Sequence, residues 1–265
     1  MAITVSRFFL SVLFGFIWSF IIRFAYNHTP EKWLQEWNAS LEDPAFRSAL
    51  RLDSLYRFTF LLGAVSLSFF FILAPDRDFL SASFLAVSLI PLSLLFLSDL
   101  LNRIIPHQYL FILLLTGLFD FFLKISSKDL GTFSSWRHIL SDKFLGAAVC
   151  GLFFSALAFT LHLAKKENSF GGGDLKLIIV AGFYCGARGI LPVTALSFFA
   201  AGLYSLPAFL YNKFRKRKNP ETEKKHFADD PSYIPLAPFF CVFLFLYQLV
   251  EMNDPDPFWY LFFKM

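Results

Sequence analysis

Apolar residues run along the chain in blocks of about 16–20 that carry almost no charge, separated by short polar connections. A helix needs that length to cross a bilayer core. The pattern therefore predicts an all-α, polytopic membrane helix bundle of about eight transmembrane helices. The spans fall near 7–26, 56–74, 79–98, 107–125, 144–164, 175–190, 191–211 and 233–250. Only Gly189-Ile190-Leu191-Pro192 divides the sixth from the seventh, where Gly permits a tight turn and Pro resists helix continuation; a short hairpin is predicted there. The tail Phe258-Trp259-Tyr260-Leu261-Phe262-Phe263 is too short to span and suits an interfacial anchor.

Composition agrees with the pattern. The 265 residues are 56% hydrophobic, include 38 Phe and have a mean hydropathy of +0.56, more apolar surface than a soluble domain of this size can hide. The net charge of +4 gives no support to nucleic-acid binding. Cys150, Cys185 and Cys241 lie far apart in apolar blocks without a CxxC pair, so neither a zinc knuckle nor a disulfide framework is expected. The first apolar block is too long for a cleavable signal peptide and lacks a small-residue cleavage site, so it is expected to persist as a helix.

Charge adds an orientation. Sixteen of the 24 Lys and Arg fall on one side of this topology and eight on the other, Lys143 among the eight. The positive-inside rule then places the N-terminus outside and the loops after spans one, three, five and seven in the cytoplasm. Two of these loops stand out. Residues 27–55 are polar, with Trp33 and Trp37 spaced as on one face of a surface helix. Residues 212–232 carry the basic run Lys213, Arg215, Lys216, Arg217 and Lys218, suited to anionic headgroups. The whole of 1–265 reads as a single membrane domain.

Two acids are the candidate chemistry. Asp99 ends the third span, and Asp174 opens the sixth straight after Gly171-Gly172-Gly173. Two spans lie between them, so both emerge on one face, and the charge count makes that face cytoplasmic. Intramembrane carboxylates are costly to ionise and mark functional sites by default. A close pair can share one proton: the ionised member takes a proton from water while the neutral one polarises a carbonyl. The glycines allow unusual backbone angles and close approach of a peptide, and a helix N-terminus at Asp174 favours negative charge. Taken singly, these features have plainer explanations. A glycine run before Asp makes a turn and an N-cap, Asp99 alone fits a membrane interface, and Lys176 alone is a snorkelling cation. His107, beside Pro106, reads as interfacial packing.

In combination the motifs resemble the type IV prepilin leader peptidase family of GxGD intramembrane aspartyl peptidases. Gly171-x-Gly173-Asp174 matches the GxGD, followed by Leu175-Lys176-Leu177 and then Gly182 and Gly186. Asp99 with Ile105-Pro106 matches the first aspartate and its downstream Ile-Pro pair, and Ile234-Pro235-Leu236-Ala237-Pro238-Phe239 is similar to a C-terminal Ile-Pro-Phe-Gly-Pro segment. Gly15-Phe16-Ile17-Trp18-Ser19-Phe20 is similar, more faintly, to an N-terminal Gly-Ser-Phe-x-Asn segment. The first loop lacks the four-cysteine module of many bacterial relatives.

The resemblance implies a membrane peptidase with Asp99 and Asp174 as catalytic residues, supported by Gly171, Gly172, Gly173, Lys176 and Pro106, and without metal or cofactor. Its substrates would be prepilin or pseudopilin precursors, cleaved at the cytoplasmic face of the bacterial inner membrane, with lipid as the other partner. Ala237 replaces a glycine of the C-terminal segment; relatives also N-methylate the cleaved pilin using S-adenosylmethionine, an activity linked to the N-terminal region, and the departures there at Trp18 and Ile21 count against it here. The competing classes are a proton- or cation-coupled transporter using the same aspartates and a non-catalytic membrane scaffold.

Overall fold

The computed structural model describes residues 2–34, 52, 54–74, 79–127, 133–163, 171–216 and 235–251. The basic residues from Arg217 to Lys225, Trp37 and the aromatic tail 258–263 lie outside the described residues. Seven helices and a single 3-10 turn at Glu31–Trp33 make up the fold described. The helices are α1 (Ala2–Asn27), α2 (Leu55–Ile72), α3 (Phe79–Asn102), α4 (His107–Ser127), α5 (Phe133–Leu163), α6 (Gly172–Lys216) and α7 (Ala237–Glu251). The chain is a helical membrane protein. Five of these helices are long and apolar enough to cross a bilayer, and the apolar helices His107–Phe122 and Ala237–Glu251 are shorter.

Burial separates a core from a periphery. In α3 and α6 about two-thirds of the spanning window is buried, 67% and 61%, against 22% in α1, α2 and α5. Phe8, Phe9, Phe20 and Phe24 of α1 instead turn their rings outward, as lipid-facing side chains do. The peripheral pair α1 and α2 is joined where Gly15 meets the backbone of Ser66, a small-residue contact that lets two membrane helices approach closely. At the end of α2 the Arg7 guanidinium donates to the Phe70 carbonyl from Nε at 2.9 Å and from Nη2 at 2.5 Å. It thereby caps a carbonyl left open by helix termination. Trp18 Nε1 reaches across to the Ala86 carbonyl of α3 at 2.8 Å, so the segment around Gly15 to Phe20 serves helix packing.

The sixth and seventh predicted spans are one continuous assignment, α6, broken at Gly186 (φ 72°, ψ 176°). That conformation is essentially confined to glycine. Contacts on α5 prove that the chain doubles back. Ile179 packs against Gly151, and Phe198 stacks on Phe154 at 5.6 Å, although a straight helix would hold Ile179 and Phe198 about 28 Å apart. The two arms, 172–185 and 187–216, therefore form a hairpin against α5. The hairpin was expected, but its turn lies at Gly186 instead of Gly189–Pro192. Gly189 has another duty: a Cβ there would collide with the Tyr247 ring of α7. Gly146 and Gly182 bring α5 and the first arm into backbone contact, each blocking space for a Cβ on the other.

Two further boundaries differ from expectation. Helix α5 begins at Phe133, well before the predicted start at 144, because Arg137, Asp142 and Lys143 are accommodated within the helix. The second arm extends to Lys216, so 212–216 has helical backbone. Helix α7 runs antiparallel to α3, fixed by Asp99 meeting Ala237 at one end and Ser88 Oγ donating to Gln248 Oε1 at 3.2 Å at the other.

Candidate active site

Helix α3 delivers Asp99 at its last turn. The helix stops after Asn102 because Arg103 enters the left-handed region (φ 57°), and its N–H closes on the Asp99 carbonyl at 2.9 Å. This is an αL termination, here without the usual glycine. The chain then crosses through Ile105 to Pro106, whose carbonyl accepts the Leu110 N–H at 3.3 Å in the first turn of α4. Ile105 is the floor on which the first arm of α6 rests: a Cβ on Gly173 would lie 3.1 Å from Ile105 Cβ.

The glycines before Asp174 divide their labour. Gly171 precedes the helix and bonds the Asp174 carboxylate through its backbone N–H, as an acid in the first turn does in a capping box. A Cβ on Gly171 would come within 2.8 Å of Asp174 Oδ2. Gly173 is crowded by Ile105, while nothing lies near a Cβ on Gly172. The pattern G-x-G-D thus has a steric basis: the outer glycines are crowded and the middle position is open.

Asp99 is 4% exposed, and its Oδ2 accepts the Ala237 N–H at 2.9 Å. Ala237 opens α7, and Pro238 behind it has no N–H to offer, a residue tolerated in a first helical turn. Each aspartate therefore faces a helix N-terminus, α7 for Asp99 and α6 for Asp174, where backbone donors and the macrodipole favour an anion. The two carboxylates are close enough to act on each other electrostatically, and Asp99 also feels Arg103. Two acids distant in sequence are thus brought to the same end of the bundle, within electrostatic reach of each other.

Residues 85–206 match the family model described as Type IV leader peptidase family. The match covers a little under half of the chain. It contains both aspartates, the Gly171–Gly173 turn and the hairpin as far as Leu206. No curated protein and no solved structure matches the chain.

The surroundings of this matched segment hold groups that motif reading passed over. Lys176 Nζ lies 3.1 Å from His107 Nε2, so the two residues taken separately as a snorkelling cation and as packing form a bridge between α6 and α4. An ammonium can only donate, which makes Nε2 the acceptor and leaves the ring proton on Nδ1. Behind Asp99, Asn102 Nδ2 donates to Tyr26 Oη at 2.7 Å, and Thr29 Oγ1 pairs with Tyr109 Oη at 2.5 Å. These bonds dock the end of α1 onto α3 and α4. Asn102 follows Asp99 by one turn, a signal that helical spacing could have supplied.

Proposed function

We propose that this membrane protein is an aspartic endopeptidase that removes the short basic leader from type IV prepilin-like or pseudopilin precursors at the cytoplasmic face of the inner membrane. The observation that carries the reading is the convergence of Asp99 and Asp174, each held by a backbone N–H, inside a segment that matches a leader peptidase family. With one proton between them, the ionised carboxylate draws a proton from water as it attacks the scissile carbonyl. The protonated partner donates to the carbonyl oxygen. Collapse of the tetrahedral intermediate then returns a proton to the leaving amine. The pair acts and titrates as a unit. Fixed N–H donors keep the carboxylates oriented with little reorganisation.

A groove of about 320 Å³ supports a hydrophobic substrate segment. It opens between α2, α3 and α7, starts beside Asp99 at Leu97 and Cys241, and continues along Leu92, Leu89, Phe245 and Leu249. A substrate helix lying there would present its membrane-end peptide bond to the aspartates. The test is co-expression with a candidate prepilin, following leader removal by wild type, Asp99→Asn and Asp174→Asn. Cleavage by wild type alone is expected. Cleavage that survives either substitution would sink the aspartic mechanism, and flux of protons or solute lost in the same variants, without cleavage in wild type, would favour the transporter.

A further inference from the structure

Breaking a helix inside a membrane protein opens carbonyls that no water can satisfy. At Gly186 the first arm ends, leaving its last carbonyls without helical partners. Two of them are met by side chains from other helices. Lys143 Nζ of α5 donates to the Tyr184 carbonyl at 3.1 Å, and Tyr247 Oη of α7 donates to the Cys185 carbonyl at 3.1 Å. Lys143 also pairs with Asp120 of α4 at 3.1 Å, and both side chains are almost wholly buried. Beyond the break, the Asp142 carboxylate lies against Gly186, where any Cβ would collide with it. A cation thus sits at the negative end of the first arm and an acid near the positive end of the second, the arrangement that both macrodipoles favour.

We infer that Lys143, with its counterion Asp120, and Tyr247 form a clamp on the carbonyl end of the first arm and act as positioning residues for Asp174 at the other end. The first arm is one short helix. Axial slip or rotation at the clamped end moves its opposite end as a rigid body, and there Gly173 must seat on Ile105 for Asp174 to reach Asp99. Lys143 of α5, paired with Asp120 of α4, and Tyr247 of α7 hold one carbonyl each, so the arm's depth is set by the rest of the bundle and not by its own loop. A buried ion pair of this kind adds little net stability over an apolar replacement, which makes geometry the better account of its placement.

The part of this inference that concerns catalysis rests on the peptidase reading, whereas its geometric part is measured without substrate. The reporter is a disulfide between Ile105→Cys and Gly173→Cys in the full chain with Cys150, Cys185 and Cys241 replaced by Ala, because the facing Cβ positions lie 3.1 Å apart and a shift of a few tenths of an ångström brings them to disulfide separation. Cross-linking rate in detergent micelles is compared for the intact clamp, Tyr247→Phe, and the charge-neutral pair Asp120→Leu with Lys143→Met. We expect roughly fivefold slower cross-linking for Tyr247→Phe, the loss of one hydrogen bond, and a larger drop for the pair. In the chain with Ile105 and Gly173 intact, kcat for leader removal falls in the same order while KM stays put. Gly15→Ala, which disturbs only the α1–α2 contact, lowers thermal stability without slowing the cross-link. If the double replacement does not fold, Tyr247→Phe alone decides. Unchanged cross-linking in every clamp variant that folds would overturn the inference, whatever happens to stability. Slower cross-linking in a chain that cleaves no precursor would uphold the clamp and reject the peptidase reading.

Discussion

The two ends of the first arm of α6 treat buried charge in opposite ways. At the Asp174 end, two acids of like sign converge, and what faces them is backbone N–H from Gly171 and Ala237. At the Gly186 end, Asp120 and Lys143 cancel each other within 3.1 Å, and the leftover hydrogen-bonding capacity of the cation goes to a carbonyl. A neutral pair satisfies its surroundings and has no spare reactivity. A pair of like charges does the reverse: it is held in place by helix ends, eased on one side by Arg103, and relieved further by taking up a proton. On the proposed function, that difference suits the Asp99–Asp174 end to acid–base chemistry and the Lys143 end to structure.

The comparison breaks first at the aspartates. Asp99→Asn and Asp174→Asn each keep the side-chain volume and are expected to lower kcat for leader removal by at least about 100-fold. Both variants should insert and fold as wild type does, checked by gel filtration in detergent. Next comes the turn. Gly186→Ala forces a side chain into a left-handed conformation and against Asp142, with a cost of about 1–3 kcal/mol for the backbone alone. A lower thermal midpoint in detergent is expected, together with slower cleavage.

The glycines sharpen the contrast on a finer scale. Gly173→Ala pushes the arm off Ile105 and should reduce kcat about tenfold, since small displacements of reacting groups are expensive. Gly172→Ala meets open space at the start of a helix, so activity should stay within about twofold and stability should rise by roughly 0.4–1 kcal/mol. Kinetics of the two single variants check this directly. Equal losses would remove the steric account of the G-x-G-D spacing. The smallest effect is expected for Lys176→Met. Its contact with His107 is exposed, and an exposed polar contact is worth about 0–1 kcal/mol, so a modest loss of stability with nearly normal kcat should be found by thermal scanning and steady-state assay.

Much of this fold was legible in the apolar blocks, because membrane helices must satisfy their own backbone and so follow hydropathy closely. Asp99, Asp174 and the glycines were legible too, since acids in apolar runs are rare. The turn position was not: Gly182, Gly186 and Gly189 look alike in sequence, and only packing decides which one carries positive φ and which ones merely leave room for Gly146 or Tyr247. Lys143 was counted with the loop cations because it sits at the edge of an apolar block, while its partner lies 23 residues earlier on another helix. Asp120 did leave a signal, an acid inside the span 107–125, and a membrane acid calls for a partner. Nothing local could show that the partner's remaining proton donors would be used on a broken helix.

The central claim is that Asp99 and Asp174 work as one catalytic unit, and single-turnover cleavage of a purified prepilin by wild type, each Asn variant and the double Asn variant tests it most directly. The account predicts that each single replacement removes nearly all of the rate and that the double replacement removes no more, because a dyad lacking one member is already disabled. Independent, multiplying losses, or a single variant that retains most of the wild-type rate, would contradict it.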